Sequence, residues 1–317
     1  MFFATPWAAS GDITLAEELF WSAEKQPDVV LMGDSRTGNG LNPAVIEEVL
    51  AERGRQSTVV NIWLAGAGPV EFRTVVERVL SAHPPQVVIC NINENSLSEQ
   101  ASHDGTPTWD QQLREVWGAP DVSRLTWDLH RASGSLHWGA FVQRAGYNML
   151  FAIARGRGML PQSRADGLRQ RRGYLPRFGQ LSDQRLAAQA ATDGRRYQGL
   201  EVSERGATRL RAFLRAARSA RLKLVVVLLP VNPALVKLFP KERYQRFVDF
   251  VARTTRECQI PFVNLYASPA VPRDGYYDAH HLNDRGADIV SRVVAGSIIV
   301  PALRDWDGPR VSSARSQ

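Results

Sequence analysis

The sequence predicts an α/β protein, a three-layer α/β/α sandwich built on a five-stranded parallel sheet. Five short apolar runs rich in β-branched residues alternate with amphipathic helical patterns, and the runs are almost continuously apolar. Strands that are apolar on both faces are typical of a parallel sheet covered by helices on both sides. With 317 residues, 44% of them hydrophobic and 22% charged, the chain can bury a core and has a globular composition.

The first half of the chain contains three predicted strands and two predicted helices. The first strand is predicted from a β-branched and apolar run that ends at Gly33. Proline favours the first turn of a helix, and Pro43 and Pro69 begin the two helical patterns. In chain order, the predicted elements are a strand at 29–32, a helix at 43–52 with Asn42 as its N-cap, a strand at 58–61, a helix at 69–82 and a strand at 87–92.

The last third of the chain repeats the alternation. Residues 222–229 form the longest β-branched and Leu run, and Pro230 ends it. The predicted elements here are a helix at 207–220, a strand at 222–229, a helix at 244–258, a strand at 261–265 and a helix at 283–300.

Residues 97–204 interrupt this alternation and lack β-branched runs. We predict a mainly helical insertion inside one domain of residues 1–317, because a structureless loop of that length is improbable in a compact fold. Its tryptophans suit either a core or a platform for stacking sugars. Its arginines suit either a solvated face or a docking surface for an anionic polymer or membrane headgroups. These residues are Trp109, Trp117, Trp127, Trp138, Arg155, Arg157, Arg164, Arg169, Arg171, Arg172 and Arg177.

Composition excludes several other classes of protein. Two cysteines cannot form a disulfide framework, and no Cys or His spacing suggests a metal site. The net charge of +7 permits an acidic partner, but no nucleic-acid recognition motif accompanies it. No apolar run approaches the ~20 residues of a membrane span, and the N-terminus lacks the positive region of a signal peptide. That N-terminus is either an ordinary chain end or the remnant of a removed anchor. At the other end of the chain, we expect a loosely ordered tail at 305–317.

Polar residues suited to acyl transfer follow four of the five predicted strands. Ser35 follows the first strand and Gly66 the second. Asn95 follows the third, and Asp278 and His281 lie between the fifth strand and the last helix. Because the carboxyl ends of parallel strands meet at one edge of a sheet, these residues are predicted to converge there.

These residue types match the needs of a serine nucleophile. A serine hydroxyl becomes nucleophilic when an imidazole takes its proton, and a carboxylate fixes the imidazole tautomer. Glycine and asparagine can supply N–H donors to the oxyanion. Three alternatives stay open: His280 as the rival of His281, Gly68 as the rival of Gly66, and a simple capping role for Asn95. The spacing from Asp278 and the following Leu282-Asn283 favour His281.

The set resembles the SGNH (GDSL-type) hydrolase family, named for its Ser, Gly, Asn and His. The sequence GDS at 33–35 matches the first block, residues 93–96 correspond to the GxND block, and residues 278–281 match DxxH. The resemblance implies a flavodoxin-like sheet with Ser35 as nucleophile, His281 as base and Asp278 as its partner. It also implies Gly66 and Asn95 as oxyanion donors. Asn93 and Ser96 depart from the Gly and Asp of the third block.

Within this family the chain looks most like bacterial cell-envelope members, some of which are polysaccharide O-acetyl esterases or acyltransferases. The resemblance therefore implies a serine esterase or O-acyltransferase without metal or organic cofactor. Its substrate would carry a small acyl group, most simply acetyl, on a glycan of the cell envelope or periplasm. The alternative is a scaffold protein that keeps the fold and binds polymer without turnover.

Overall fold

The computed structural model describes residues 26–63, 66–98, 170–197, 201–266 and 268–304, without the side chains of Arg78 and residues 195–197. In this part of the chain, five strands form one sheet in the order β2-β1-β3-β4-β5. All four strand pairings are parallel. The strands are β1 (Val29–Gly33), β2 (Val59–Trp63), β3 (Val87–Asn91), β4 (Leu224–Leu228) and β5 (Phe262–Asn264). The predicted parallel sheet is confirmed.

Helices fill the connections between the strands. They are α1 (Ser35–Gly40), α2 (Pro43–Glu52), α3 (Pro69–Val75), α4 (Asp183–Tyr197), α5 (Glu204–Ser219), α6 (Pro233–Val236), α7 (Lys241–Glu257), α8 (Asp284–Val294) and α9 (Val300–Arg304). A π-helical turn, Val76–Leu80, extends α3, and another, Ala295–Ile299, joins α8 to α9. Single 3₁₀ turns lie at Asn95–Leu97 and Arg273–Gly275.

The two faces of the sheet bury separate apolar clusters, as the three-layer prediction requires. Successive side chains of a strand point to opposite faces, so Val30 packs with Phe72 of α3 and Phe213 of α5 on one face. Leu31 packs with Ile46 of α2 on the other face, which α8 also covers. Burial on both faces explains why the strands are apolar at nearly every position.

Two local differences from the sequence prediction lie near the end of β1. The helix α1 begins directly after this strand and was not predicted, because Gly38 and Gly40 weaken the helical pattern of a six-residue segment. The strand β2 continues two residues beyond the predicted end at Asn61, through Ile62 and Trp63. Both differences extend regular structure toward the carboxyl edge of the sheet.

Part of the predicted insertion lies within the described residues. The helix α4 and the first residue of α5 fall inside 97–204 and are helical, in agreement with the prediction there. Residues 99–169 and 198–200 lie outside the described residues, and they include the four tryptophans and Arg155, Arg157, Arg164 and Arg169. Residues 1–25 and the predicted tail at 305–317 also lie outside.

Residues 171–181, which we call the strap, bind across the outer edge of the sheet. The carbonyl of Arg172 accepts a hydrogen bond from Asn61 N of the edge strand β2 at 2.9 Å. The Gly173 carbonyl accepts from Trp63 Nε1 at 2.7 Å, and Leu175 N donates to Gly38 O of α1 at 2.8 Å. The strap thus provides a hydrogen-bond acceptor for an amide of the edge strand, and it contacts both α1 and β2.

Two arginines of the strap have partners within the chain. Arg172 forms an ion pair with Glu47. The Arg177 guanidinium carbon lies 5.3 Å from the centroid of the Tyr277 ring, which is cation–π geometry. These two members of the predicted arginine surface therefore contribute to internal contacts.

One helix among the described residues, Asp284–Arg304, is long and apolar enough to cross a membrane by length and composition. Half of its most apolar window is buried inside the structure. Val290, Val294 and Ile299 belong to the apolar cluster on one face of the sheet, so the helix has the pattern of a core helix.

Candidate active site

Ser35 is the first residue of α1, immediately beyond the end of β1. Asp34 is the N-cap of this helix, and its side chain accepts a hydrogen bond from Arg36 N at 3.0 Å. The backbone carbonyl of Asp34 accepts from Thr37 N and Gly38 N. This strand-to-helix turn places a half-buried serine at the carboxyl edge of the sheet.

Ser35, His281 and Asp278 form one chain of hydrogen bonds. The Ser35 Oγ lies 2.9 Å from His281 Nε2. The His281 Nδ1 lies 2.9 Å from Asp278 Oδ2 and 3.0 Å from Asp278 Oδ1. Because a carboxylate only accepts, Nδ1 carries the proton and donates, which leaves Nε2 free to accept from the serine hydroxyl. This is the geometry of a Ser-His-Asp triad.

The loop that carries Asp278 and His281 is a tight turn around the aspartate. Backbone N–H groups of His280 and His281 both donate to Asp278 Oδ1 at 2.8 Å. Burial raises the pKa of Asp278, but the hydrogen bonds and charge of His281 and the two backbone donors outweigh it and lower the pKa to about 2. Asp278 is therefore an ionised acceptor at neutral pH.

The backbone turns back on itself between Asp278 and His281, which are separated by two residues. Tyr276 and Leu282 pair as an antiparallel bridge, and Tyr277 N donates to His281 O at 2.9 Å. Asn283 then caps α8 by accepting from Gly286 N at 3.0 Å. The turn between the bridge residues brings the imidazole back onto the carboxylate.

Asp34 connects the ends of three strands. Its Oδ1 accepts from Asn91 Nδ2 at 3.1 Å, and its Oδ2 accepts from Asn93 Nδ2. The Asn91 Oδ1 accepts in turn from Leu229 N, just beyond β4, at 3.0 Å. These bonds hold the turn that carries Ser35 against β3 and β4. The contacts of Asn91 and Asn93 with Asp34 were not predicted, although Asn93 was singled out as a departure from the third block.

A buried ion pair begins at the residue after Ser35. Arg36 donates to both carboxylate oxygens of Glu94, at 3.0 and 2.6 Å, and the two side chains are 5% and 1% exposed. Burial raises the pKa of Glu94, but the charge and hydrogen bonds of Arg36 bring it below its usual value. The two-pronged contact joins α1 to the turn after β3.

The structure distinguishes the two neighbouring histidines. His281 contacts Ser35, whereas the His280 ring contacts Arg36 Nη2 through Nδ1 at 3.2 Å and Asp193 Oδ2 through Nε2 at 2.8 Å. The prediction favoured His281 over His280, and the ring that contacts Ser35 is that of His281. The contacts of Arg36, Glu94 and Asp193 were not predicted, because they join residues far apart in the chain.

The two other predicted site residues lie in adjoining turns. Gly66 is exposed in the loop after β2 and has a φ of +68°, a conformation that favours glycine. Asn95 begins the 3₁₀ turn after β3, and its carbonyl accepts from Ser98 N at 3.3 Å. A Cβ added to Gly68 would lie 3.2 Å from Ser96 Cβ, so the two turns touch.

Among the residues that the structure describes, no group of three or more His, Cys, Asp and Glu side chains is arranged to hold a metal ion. The two cysteines, Cys90 and Cys258, are both buried and unbridged.

No protein-family model matches the sequence. No curated protein matches it either. Among solved structures, the chain is similar to a GDSL-like lipase from Bacteroides thetaiotaomicron, with 11% identity and a TM-score of 0.41, over 93% of this chain and 98% of that one. It is similar to a lipase/acylhydrolase from Enterococcus faecalis, with 11% identity and a TM-score of 0.41, over 84% and 95% of the two chains. It is also similar to an acetyl-xylooligosaccharide esterase from Geobacillus, with 11% identity and a TM-score of 0.41, over 90% and 97%.

Proposed function

We propose that this protein is a serine-dependent enzyme of ester chemistry that works through an acyl-enzyme on Ser35. The observation that carries the proposal is the continuous chain from Ser35 Oγ through His281 to Asp278, with hydrogen bonds of 2.9 Å on both sides of the imidazole. This arrangement gives the hydroxyl a base to take its proton.

The reaction proceeds in two halves. Ser35 Oγ attacks the ester carbonyl carbon while His281 Nε2 takes its proton, and Asp278 stabilises the resulting imidazolium. The tetrahedral intermediate collapses, the C–O bond to the alcohol breaks, and His281 returns the proton to the leaving alkoxide. An acceptor hydroxyl, from water or from a sugar, then loses its proton to His281 and attacks the acyl-enzyme, and Ser35 regains its proton as it leaves.

The oxyanion needs donors at the same edge of the sheet. The Ser35 N–H lies in the first turn of α1, where backbone amides have no acceptor within the helix. Gly66 N–H and the Asn95 side-chain amide are the other proposed donors. Asn93 is a second candidate amide, because its Nδ2 already binds Asp34, the neighbour of Ser35, and has a second hydrogen to donate.

We propose further that the transferred group is small, most simply acetyl, and that a glycan carries it, in the cell envelope or periplasm. This part of the proposal rests on the resemblance of the sequences GDSRT at 33–37 and HLN at 281–283 to those of cell-envelope members of the SGNH hydrolases. Whether water or a sugar hydroxyl completes the second half is the difference between an esterase and an O-acyltransferase. Docking of a polymer on the arginine surface at 155–177 stays a prediction.

Incubation with 4-nitrophenyl acetate tests the acyl-enzyme directly. We expect a burst or steady release of nitrophenol and a mass increase of about 42 Da on the Ser35 peptide, because acetyl replaces one proton. Ser35→Ala should abolish both signals, and Ser219→Ala, at an exposed serine ending α5, should keep them. Wild-type protein with neither signal on any short acyl ester would contradict the proposal and favour the scaffold alternative.

A further inference from the structure

His280 lies next to the triad but takes part in a different set of contacts. Its Nδ1 lies 3.2 Å from Arg36 Nη2, and its Nε2 lies 2.8 Å from Asp193 Oδ2. The side chains of His280 and Asp193 are 15% and 21% exposed. Arginine can only donate, so Nδ1 of His280 must accept, and the ring proton must lie on Nε2, which donates to Asp193.

The two adjacent histidines therefore require opposite tautomers. His281 carries its proton on Nδ1, where it faces Asp278, and His280 carries its proton on Nε2, where it faces Asp193. A proton on His280 Nδ1 would place two hydrogen-bond donors against each other at Arg36. Arg36 cannot turn away without leaving the buried Glu94 carboxylate unpaired.

His280 is also joined to the catalytic carboxylate through the backbone. Its N–H donates to Asp278 Oδ1, the same oxygen that accepts from His281 N. A displacement of the His280 ring and backbone would therefore change how Asp278 meets His281. Reaction rates depend steeply on such placement, since a misplacement of ~1 Å can lower the rate about 10²-fold.

The helix α4 also contacts this loop through a second side chain. Besides Asp193, it provides Gln189 Oε1, which accepts from Ala279 N at 3.4 Å. The segment before the helix contributes Leu181 N, which donates to Tyr277 O at 2.9 Å. Three consecutive contacts from the C-terminal part of the insertion thus reach the loop between Tyr277 and His280.

We propose that Asp193 is a positioning residue for the triad. It holds His280 as the neutral Nε2–H tautomer against Arg36, and this contact lets α4 of the insertion fix the loop that carries Asp278 and His281. The proposal rests on the proposed function, and it assigns to this part of the insertion a role in catalysis rather than only in packing.

Substitutions at Asp193 separate this role from simple packing. In Asp193→Asn, the amide oxygen still accepts from Nε2–H, so kcat should stay within about twofold of wild type. Asp193→Leu keeps the branched arrangement of four side-chain heavy atoms but has no acceptor, so kcat per folded molecule should fall about tenfold or more while KM changes little. The matched control is Asp183→Asn at the exposed start of the same helix, where Asp183 pairs with Arg273 on the surface. This control should match wild type.

Two outcomes of these assays would overturn the proposal. Asp193→Leu with wild-type kcat would show that the contact does not position the triad. Asp193→Asn as impaired as Asp193→Leu would show that the carboxylate charge matters, and therefore that His280 is not the neutral tautomer. Both conclusions require an active wild-type enzyme, so an inactive wild type contradicts the proposed function instead.

A second measurement does not depend on enzymatic activity. Long-range ¹H–¹⁵N spectra of the wild type, recorded above the ordinary histidine pKa range, report which ring nitrogen holds the proton. His280 should show a protonated Nε2 and a bare Nδ1, with its signals assigned by their loss in His280→Gln. His281 should show the reverse. A His280 ring protonated on Nδ1 would refute the proposal whatever the kinetics.

Discussion

At the scale of single residues, the two neighbouring histidines have different contacts, and only His281 belongs to the proposed triad. We expect Ser35→Ala and His281→Ala each to lower kcat by roughly 10⁶-fold, and the double variant to be little worse, because triad members act as a unit. His280→Ala should lose far less, because its ring does not contact Ser35. Steady-state kinetics on these four variants test which histidine is the base. An inactive His280→Ala beside an active His281→Ala would reverse the assignment.

The amide that faces the oxyanion can be identified by pairing kinetics with stability. If Asn95 is the donor, Asn95→Ala should lose about 10² to 10³ in kcat with little change in KM or melting temperature, because the bond strengthens chiefly in the transition state. Asn93→Ala removes bonds to Asp34 and Ser96 N, so it should also lower the free energy of unfolding by about 1 to 3 kcal/mol.

The kcat and the stability should be measured on the same preparations of Asn95→Ala and Asn93→Ala. A destabilised Asn95→Ala with normal kcat would mean a turn or capping role for Asn95. If Asn93→Ala then loses kcat beyond its loss of folded protein, Asn93 is the donor. Normal turnover in both variants would leave the oxyanion to backbone donors at Ser35 and Gly66.

The predicted residues that the structure brings into contact, Ser35, Asp278 and His281, are those whose geometry depends on a short motif. Asp278 and His281 are three positions apart, so one turn brings them together, and the strand before Ser35 fixes the edge of the sheet that it faces. The bonds of Arg36 with Glu94 and of His280 with Asp193 span 58 and 87 positions. No local pattern encodes such contacts, because they depend on how the helices pack.

At the scale of elements, the strands were predictable because burial on both faces demands apolar, β-branched residues. Helices with a long amphipathic pattern, such as α5 and α7, were predictable for the same reason. The helix α1 was not, because its residues are held by tertiary contacts. Asn39 Nδ2 donates to Leu175 O at 2.6 Å, and Leu175 N binds Gly38 O. Such a short helix gains its stability from packing rather than from propensity.

The strap offers an element-scale test. Gly173 has a φ of +90°, and a Cβ there would lie 1.7 Å from Asn61 O on β2. Gly173→Ala must therefore push the strap off the sheet edge, and we expect a loss of roughly 2 to 4 kcal/mol in the free energy of unfolding. Gly179→Ala is the control, since its φ of +75° is similar but its Cβ would meet nothing within 4 Å.

Urea unfolding of the two glycine variants separates collision from backbone strain. The control should lose only about 1 kcal/mol, the cost of an L-residue in the left-handed region. Equal losses in the two variants would mean that the strap does not press on β2 in solution.

At the scale of the whole molecule, the buried carboxylates around Ser35 also affect the stability of the fold. Asp34, Asp278 and Glu94 are all buried at the carboxyl edge of the sheet, and each is held by donors from a different strand end or loop. Burial disfavours the ionised form of a carboxylate, whereas hydrogen bonds and opposite charges favour it. At Asp278 and Glu94 the favourable contacts outweigh burial and lower the pKa. Acid therefore weakens the contacts of these two carboxylates.

Acid should destabilise the protein through Asp278. Its folded pKa of about 2 lies below the ordinary aspartate pKa of 3.8, so its contribution to stability is nearly complete above pH ~4 and disappears as the pH falls toward 2. The shift corresponds to about 2 kcal/mol, of which about 1 kcal/mol is lost between pH ~5 and ~3. Glu94, also lowered, acts in the same direction, whereas Glu71, whose pKa burial raises, acts in the opposite one.

Urea unfolding at pH ~5 and ~3 measures this contribution as a difference between variants. Asp278→Asn cannot titrate, so its free energy of unfolding should fall by about 1 kcal/mol less than that of wild type over the same interval. Asp183→Asn, where the side chain is 81% exposed, should follow wild type. If Asp278→Asn loses as much stability as wild type, the Asp278 carboxylate is not held ionised by His281 and the two backbone donors, and the triad geometry does not persist in solution.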